Sequence, residues 1–245
     1  MPIFPAPPMT DPYLDLPLTA DTQDLYTVRT AIRQALRAQL PRFHGTFLDI
    51  GSGLQPYRGL ITSSPSRVDR YIGMDLEGNA VTSYHKVRPD LFWDGVHIPL
   101  ADDTVDSAMA TEVLEHCPDP GAVLREAFRV LRPGSPLFIT VPFLWPLHDV
   151  PYDEYRYTPF AMRRLLEGAG FTDITVRPLG GWDASLAQLL GLWALRRPMP
   201  VWKRRIVKRM TLPLVRHLLR HDHVPDPLSA PMITGLMALA HTPRA

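Results

Sequence analysis

The sequence predicts an α/β chain whose buried strands run parallel and deliver a ligand site at their C-terminal ends. The run Phe47-Leu48-Asp49-Ile50 passes straight into Gly51-Ser52-Gly53, the pattern of a buried parallel strand turning sharply where a ligand approaches the backbone. A second apolar run, Tyr71-Ile72-Gly73-Met74, also ends in an acid, Asp75, at the interval where a nucleotide-binding fold places its ribose acid. At 245 residues the chain has room for one large α/β domain, with or without an appended subdomain.

Composition narrows the class. The hydrophobic share of 45% and charged share of 21% suit a globular domain with a substantial core. One cysteine, Cys117, excludes an internal disulfide framework. No Cys/His spacing suggests zinc, so no metal is expected. There is no basic, apolar leader pattern and no uninterrupted apolar run of about 18 residues, which points to a cytoplasmic protein. The net charge of +1 conceals an asymmetry. Positions 196–220 hold nine basic residues and no acid, leaving 17 basic against 25 acidic residues elsewhere.

Taken in order, residues 1–18 carry six prolines and read as an extended arm. From Asp21 the spacing Leu25, Val28, Ile32, Leu36, Leu40 predicts a helix, capped by Thr19 or Asp21 and closed by Pro41. The first strand and glycine turn follow. A dinucleotide fingerprint would need its third glycine where Pro56 stands, and an acid beside the turn, Asp49, suits a cation better than a pyrophosphate. The second strand covers Arg70 to Asp75, and a third lies in the stretch from Asp90 to Leu100. A fourth strand is expected within the stretch from Asp106 to His116. Val123, Ala127, Val130 and Leu131 mark a helix ended by Pro133-Gly134, and Pro136 to Val141 a fifth strand. The cluster from Phe143 to Thr158, rich in polar and aromatic groups, comes off that strand at the sheet edge where open α/β folds hold ligands. Pro159 to Gly168 reads as a helix and Phe171 to Arg177 as the sixth strand. Residues 183–220 form a basic, amphipathic helical insertion, and a last strand falls near Met232 to His241.

The ordered series Asp49-x-Gly51-x-Gly53, Asp75, Asp94-Gly95, Thr111-Glu112-Val113-Leu114-Glu115-His116 and the helix from Ala122 to Gly134 resembles the class I S-adenosylmethionine-dependent methyltransferases of the domain 11 type. It spans about residues 45–178. Gln55 departs from the family's usual further glycine. The resemblance implies a Rossmann-like, seven-stranded, mostly parallel sheet with helices on both faces and strand order 3-2-1-4-5-7-6. It makes residues 19–245 the methyltransferase domain, with S-adenosyl-L-methionine as cofactor. Asp49, Gly51 and Gly53 would then take its methionine end, Asp75 the ribose and Asp94 the adenine, with Leu76 and Glu112 as further cofactor contacts.

The implied reaction is methyl transfer to a small-molecule acceptor, most simply an oxygen of a saccharide, lipid-linked intermediate or natural product. His148 is the first candidate base and His116 the second, because an imidazole titrates near neutrality. Tyr152, Asp153, Arg156 and Tyr157 are candidates for acceptor binding; the plain alternative is a loop network with Arg156 paired to Asp153. Two other readings stay open: an NAD(P)-dependent oxidoreductase, and a non-catalytic S-adenosylmethionine-binding or membrane-adaptor protein. Nucleic acid is not expected as a partner, since the Asn/Asp-Pro-Pro-Tyr/Phe motif of many amino-methylating enzymes is absent. The 183–220 insertion is expected to be a lid, a homodimer element, or a helix lying peripherally on the inner membrane surface.

Overall fold

The computed structural model describes residues 13–76, 87–226 and 232–244. Its seven strands are β1 (His44–Ile50), β2 (Arg67–Leu76), β3 (Leu91–Trp93), β4 (Ser107–Thr111), β5 (Pro136–Pro142), β6 (Thr172–Leu179) and β7 (Gly235–His241). They form one sheet in the order β3-β2-β1-β4-β5-β7-β6, all parallel except β7, which runs against β5 and β6. This is the Rossmann-like arrangement and the strand order expected above.

The strands read as continuous apolar runs because both faces are covered. Neighbouring residues go to opposite sides. Leu48, Ile72, Ala110 and Ile139 join the core beneath α3 (Pro120–Val130) and α4 (Pro159–Gly168). Phe47, Tyr71, Met109 and Phe138 join the core beneath α1 (Tyr26–Gln39) and α2 (Arg58–Ile61). Helix starts follow local chemistry. Asp119 accepts from Ala122 N at 2.8 Å and Thr158 from Ala161 N at 3.2 Å, each followed by a proline at the first helical position.

Helix α1 departs from the expectation. It begins at Tyr26, with no side-chain cap, rather than near Asp21. The reason is tertiary: residues 19–25 are turns whose polar side chains face other elements. Gln23 donates to the Lys208 carbonyl at 2.9 Å and accepts from Thr211 at 3.0 Å, and Asp24 pairs with Arg196 at 3.0 Å. A side chain at Gly191 would strike the Gln23 carbonyl, so a glycine there lets this segment lie directly on the neighbouring helix. Of the Pro-rich arm, residues 1–12 lie outside the described residues. Tyr13 stacks under Arg29, and Leu14 O accepts from Arg33, so the end of the arm is docked on α1.

The insertion is a pair of helices, α5 (Trp182–Arg196) and α6 (Val201–His221), packed through Ala187, Val215 and Leu218. Among the described residues no helix is long and apolar enough to cross a membrane.

Candidate active site at the C-terminal edge of the sheet

Gly51 and Gly53 hold φ of +67° and +50°, the left-handed region open to glycine at little cost. The turn is strapped to β2: Ser52 N donates to the Met74 carbonyl at 2.9 Å, and Gly53 N to Asp75 Oδ2 at 2.9 Å. Gln55, where a further glycine was the norm, has a structural task. Its amide occupies the space above Gly73, where a Cβ would come within 2.6 Å of Gln55 Nε2, and its Oε1 accepts from Arg58 at 2.9 Å.

Two carboxyl groups flank this turn in an unusual state. Asp49, at the end of β1, is buried; Oδ2 accepts from the Tyr71 hydroxyl, while Oδ1 has no partner among the described residues. Burial pushes its pKa up to about 7 against the Tyr71 hydrogen bond that lowers it. Glu112, just past β4, sits at φ +55° with its backbone N–H on the Thr140 carbonyl at 2.9 Å. Loss of solvent likewise carries its carboxyl to about 7. Gly51 would meet Val113 at 2.6 Å if it bore a Cβ, so the turn and the Glu112 segment are in close contact. The buried Ser52 Oγ is also unpartnered among the described residues. Such an arrangement matches a ligand with a positive end and hydrogen-bonding groups, because a cation restores the ionised form that burial disfavours.

At the ends of β2 and β3, Asp75 accepts from Gly53 N and, through Oδ1, from Leu76 N at 2.8 Å. Leu76, Phe92 and Val96 are 38%, 40% and 39% exposed. Gly95, at φ +92°, comes close enough that a Cβ there would lie 3.2 Å from Leu76. Asp94 is fully exposed and serves its own turn, accepting from Val96 N at 2.8 Å and His97 N at 2.7 Å. Those backbone bonds hold its carboxyl below the usual range.

The loop after β5 comes back against the turn Leu114–His116. Asp153, its carboxylate buried, accepts from Arg156 at 2.6 and 2.8 Å, from His148 N at 3.1 Å and from His148 Nδ1 at 3.0 Å. Arg156 above all, then His148, holds its carboxyl well below the usual range. The loop network anticipated for Arg156 and Asp153 is therefore present. His116 and His148 stack edge-on, ring centres 4.8 Å apart, and His116 Nδ1 lies 3.1 Å from the Tyr152 carbonyl. Burial lowers the His116 pKa. Tyr152 is exposed. Tyr157 is not available to an acceptor: it is buried and its hydroxyl donates to the Leu114 carbonyl at 2.7 Å, fastening loop to turn. Glu115 escaped the sequence reading, as did Tyr71 and Ser52. Its carboxyl is fully buried, and burial, reinforced by Glu112, raises its pKa well above normal.

A methyltransferase domain matches residues 48–139. The demethylmenaquinone methyltransferase of Corynebacterium kroppenstedtii is 30% identical over 140 residues, covering 56% of this chain and 58% of that enzyme. A transposon-encoded protein of Streptomyces fradiae is 31% identical over 206 residues, covering 74% of this chain and 58% of its own. The chain thus spans 58% of the length of either relative. The crystal structure of an S-adenosylmethionine-dependent methyltransferase from Archaeoglobus fulgidus superposes with a TM-score of 0.54 at 17% identity, covering 88% of this chain and 94% of that one. Residues 48–139, from within β1 to β5, are thus similar to a methyltransferase domain, and the chain shares the fold of an S-adenosylmethionine-dependent methyltransferase.

Proposed function

We propose that this chain methylates an oxygen of a small molecule, such as a saccharide, a lipid-linked intermediate or a natural product. The observation that carries the reading is the pair of desolvated carboxyls, Asp49 and Glu112, on either side of a two-glycine turn. S-adenosylmethionine, when bound, supplies a methyl group on a sulfonium. Asp49, Glu112, Gly51 and Gly53 would hold its cationic methionine end, Asp75 its ribose hydroxyls, and Leu76, Val96 and the Asp94 turn its adenine. On the acceptor side, Asp153 orients His148 through Nδ1 and leaves Nε2 as the atom that takes a hydroxyl proton. His116 is the second candidate, and Tyr152 lies exposed at the rim. Positioning the acceptor in line is the larger contribution.

Calorimetric titration with S-adenosylmethionine and S-adenosylhomocysteine, with NADH as control, tests the cofactor. Binding of both sulfur nucleosides and not NADH is expected, and Asp75→Ala should weaken it by about 1–3 kcal/mol. An unchanged affinity would remove Asp75 from the site. Cofactor binding without any methylated product from a panel of hydroxyl-bearing saccharides and lipid-linked sugars would favour the non-catalytic alternative.

The insertion supports a peripheral membrane position for the same enzyme. On α6, Trp202, Ile206, Met210 and Leu214 recur every fourth residue and are exposed, Met210 to 72%. On α5, Leu186, Leu189 and Trp193, three and then four residues apart, are exposed as well. Among the described residues no carboxylate lies in ion-pair range of Lys203, Arg205, Arg209 or Arg220. Apolar stripes beside unpaired cations suit an anionic lipid surface. Co-sedimentation with vesicles containing anionic phospholipid should exceed that with neutral vesicles, and Trp202→Ser with Met210→Ser should reduce it at least tenfold. A dimer in sedimentation velocity that buries these stripes and leaves vesicles unbound would replace the lipid by a second copy.

A further inference from the structure

We propose that Glu115, His116 and His148 form a binding site for a divalent first-row transition-metal ion, with zinc as the natural occupant. One ligand atom from each lies within 4.8 Å of the other two. The histidines are already set in the required tautomer. His116 Nδ1 faces the Tyr152 carbonyl at 3.1 Å, and a carbonyl can only accept, so the proton is on Nδ1 and Nε2 offers its lone pair. His148 Nδ1 faces Asp153 Oδ2 at 3.0 Å, and that carboxylate is held by Arg156, so its Nε2 is likewise the outward lone pair. A carbonyl or carboxylate behind each ligating imidazole is the usual outer support of a metal-bound histidine.

Glu115 supplies the independent observation. Its side chain is 0% exposed, and among the described residues neither carboxylate oxygen has a hydrogen-bond partner. Oε1 lies 3.7 Å from His116 Nε2, too far for a hydrogen bond and close to the separation of two ligands on one ion. The side chain is also held in this position. The Glu115 carbonyl accepts from Glu154 N at 2.9 Å and Tyr155 N at 3.2 Å, and Tyr157 ties the adjoining Leu114 carbonyl, so the turn is pinned under the loop. A buried carboxylate without a partner is costly, and a cation between it and two imidazoles removes that cost.

Two nitrogens and one oxygen select zinc and its neighbours over magnesium or calcium, which prefer oxygen alone. Ligands about 2.1 Å from a tetrahedral ion stand roughly 3.4 Å apart, so the widest pair has to close by somewhat more than 1 Å. Three protein ligands leave a coordination position for water or an acceptor oxygen. With the ion in place the His148 lone pair is a ligand, and direct proton abstraction by it belongs to the metal-free protein alone.

The test uses chelator-treated full-length protein and Co2+ as the probe. One equivalent should bind, with the visible absorption of low-coordinate Co2+, and Zn2+ should displace it. Glu115→Gln and His148→Ala should each weaken binding at least tenfold. Zn2+ should raise the thermal midpoint of the wild type and leave that of Glu115→Gln unmoved. His217 and His221 form an exposed pair on α6, ring centres 4.4 Å apart, so the variant His217→Ala with His221→Ala serves as the control and should retain the site. Absence of stoichiometric binding by folded wild type, or binding that survives Glu115→Gln and His148→Ala, overturns the proposal. Neither readout involves the cofactor or a methyl acceptor, so failure here is distinct from failure of the methyltransferase reading.

Discussion

Gly51→Ala is expected to lose about 2–4 kcal/mol of stability and to abolish measurable cofactor binding. Two costs add at this position. At φ +67° an alanine pays the left-handed penalty of roughly 1–2 kcal/mol, and its methyl would sit 2.6 Å from a Val113 methyl, forcing the turn away from the Glu112 segment. Urea unfolding read by circular dichroism measures the first effect and calorimetry the second. Adding Val113→Ala should recover the steric part and leave the conformational part. Gly59→Ala is the contrast, because Gly59 lies in α2 with nothing within 4 Å of the new methyl; it should hold or gain up to about 1 kcal/mol. Equal losses at both glycines would show that the turn geometry is not special.

Cofactor affinity should climb steeply with pH up to about 7 and then level off. Asp49 and Glu112 have ordinary values of 3.8 and 4.5 and stand near 7 in the fold. Between those limits the native protein binds protons that the unfolded chain has released. Each group therefore adds stability that is full below its unfolded pKa and is lost as pH rises through the folded one, at roughly 1.4 kcal/mol per pH unit. A cationic ligand reverses the preference, since it favours the carboxylates, and its binding expels the protons. Below pH 7 the affinity should rise up to about tenfold per unit for each group. Calorimetry in buffers of different ionisation enthalpy reads the protons released. Asp49→Asn should remove one of the two and halve the slope. A flat profile between pH 5.5 and 7.5 would mean that neither carboxyl meets the cation.

The residues expected to hold the cofactor could be placed from the sequence, since each lies within a few residues of a strand end. Asp49 lies at the end of β1, Gly51 and Gly53 follow it, and Asp75 lies at the end of β2; apolar runs fix where such strands stop, and a left-handed turn needs glycine. The acceptor half was readable only as a collection of residue types. Glu115 and His116 belong to the turn after β4 and His148 to the loop after β5, and their meeting depends on loop packing fastened by Tyr157, a residue first assigned to the acceptor. Periodicity carries no trace of that contact. The start of α1 was misplaced for a related reason: Gln23 and Asp24 look like a helix first turn until α5 and α6 claim their side chains.

The strand ends and the glycine turn thus follow from local sterics and the apolar pattern, both written along the chain, whereas the sheet order and the helix layers were implied by the family resemblance. Protonation and pairing were decided by the fold. Asp49, Glu112 and Glu115 are ordinary acids in sequence; their environment comes from residues far along the chain that exclude water around them, and desolvation, unlike periodicity, is a property of the assembled core.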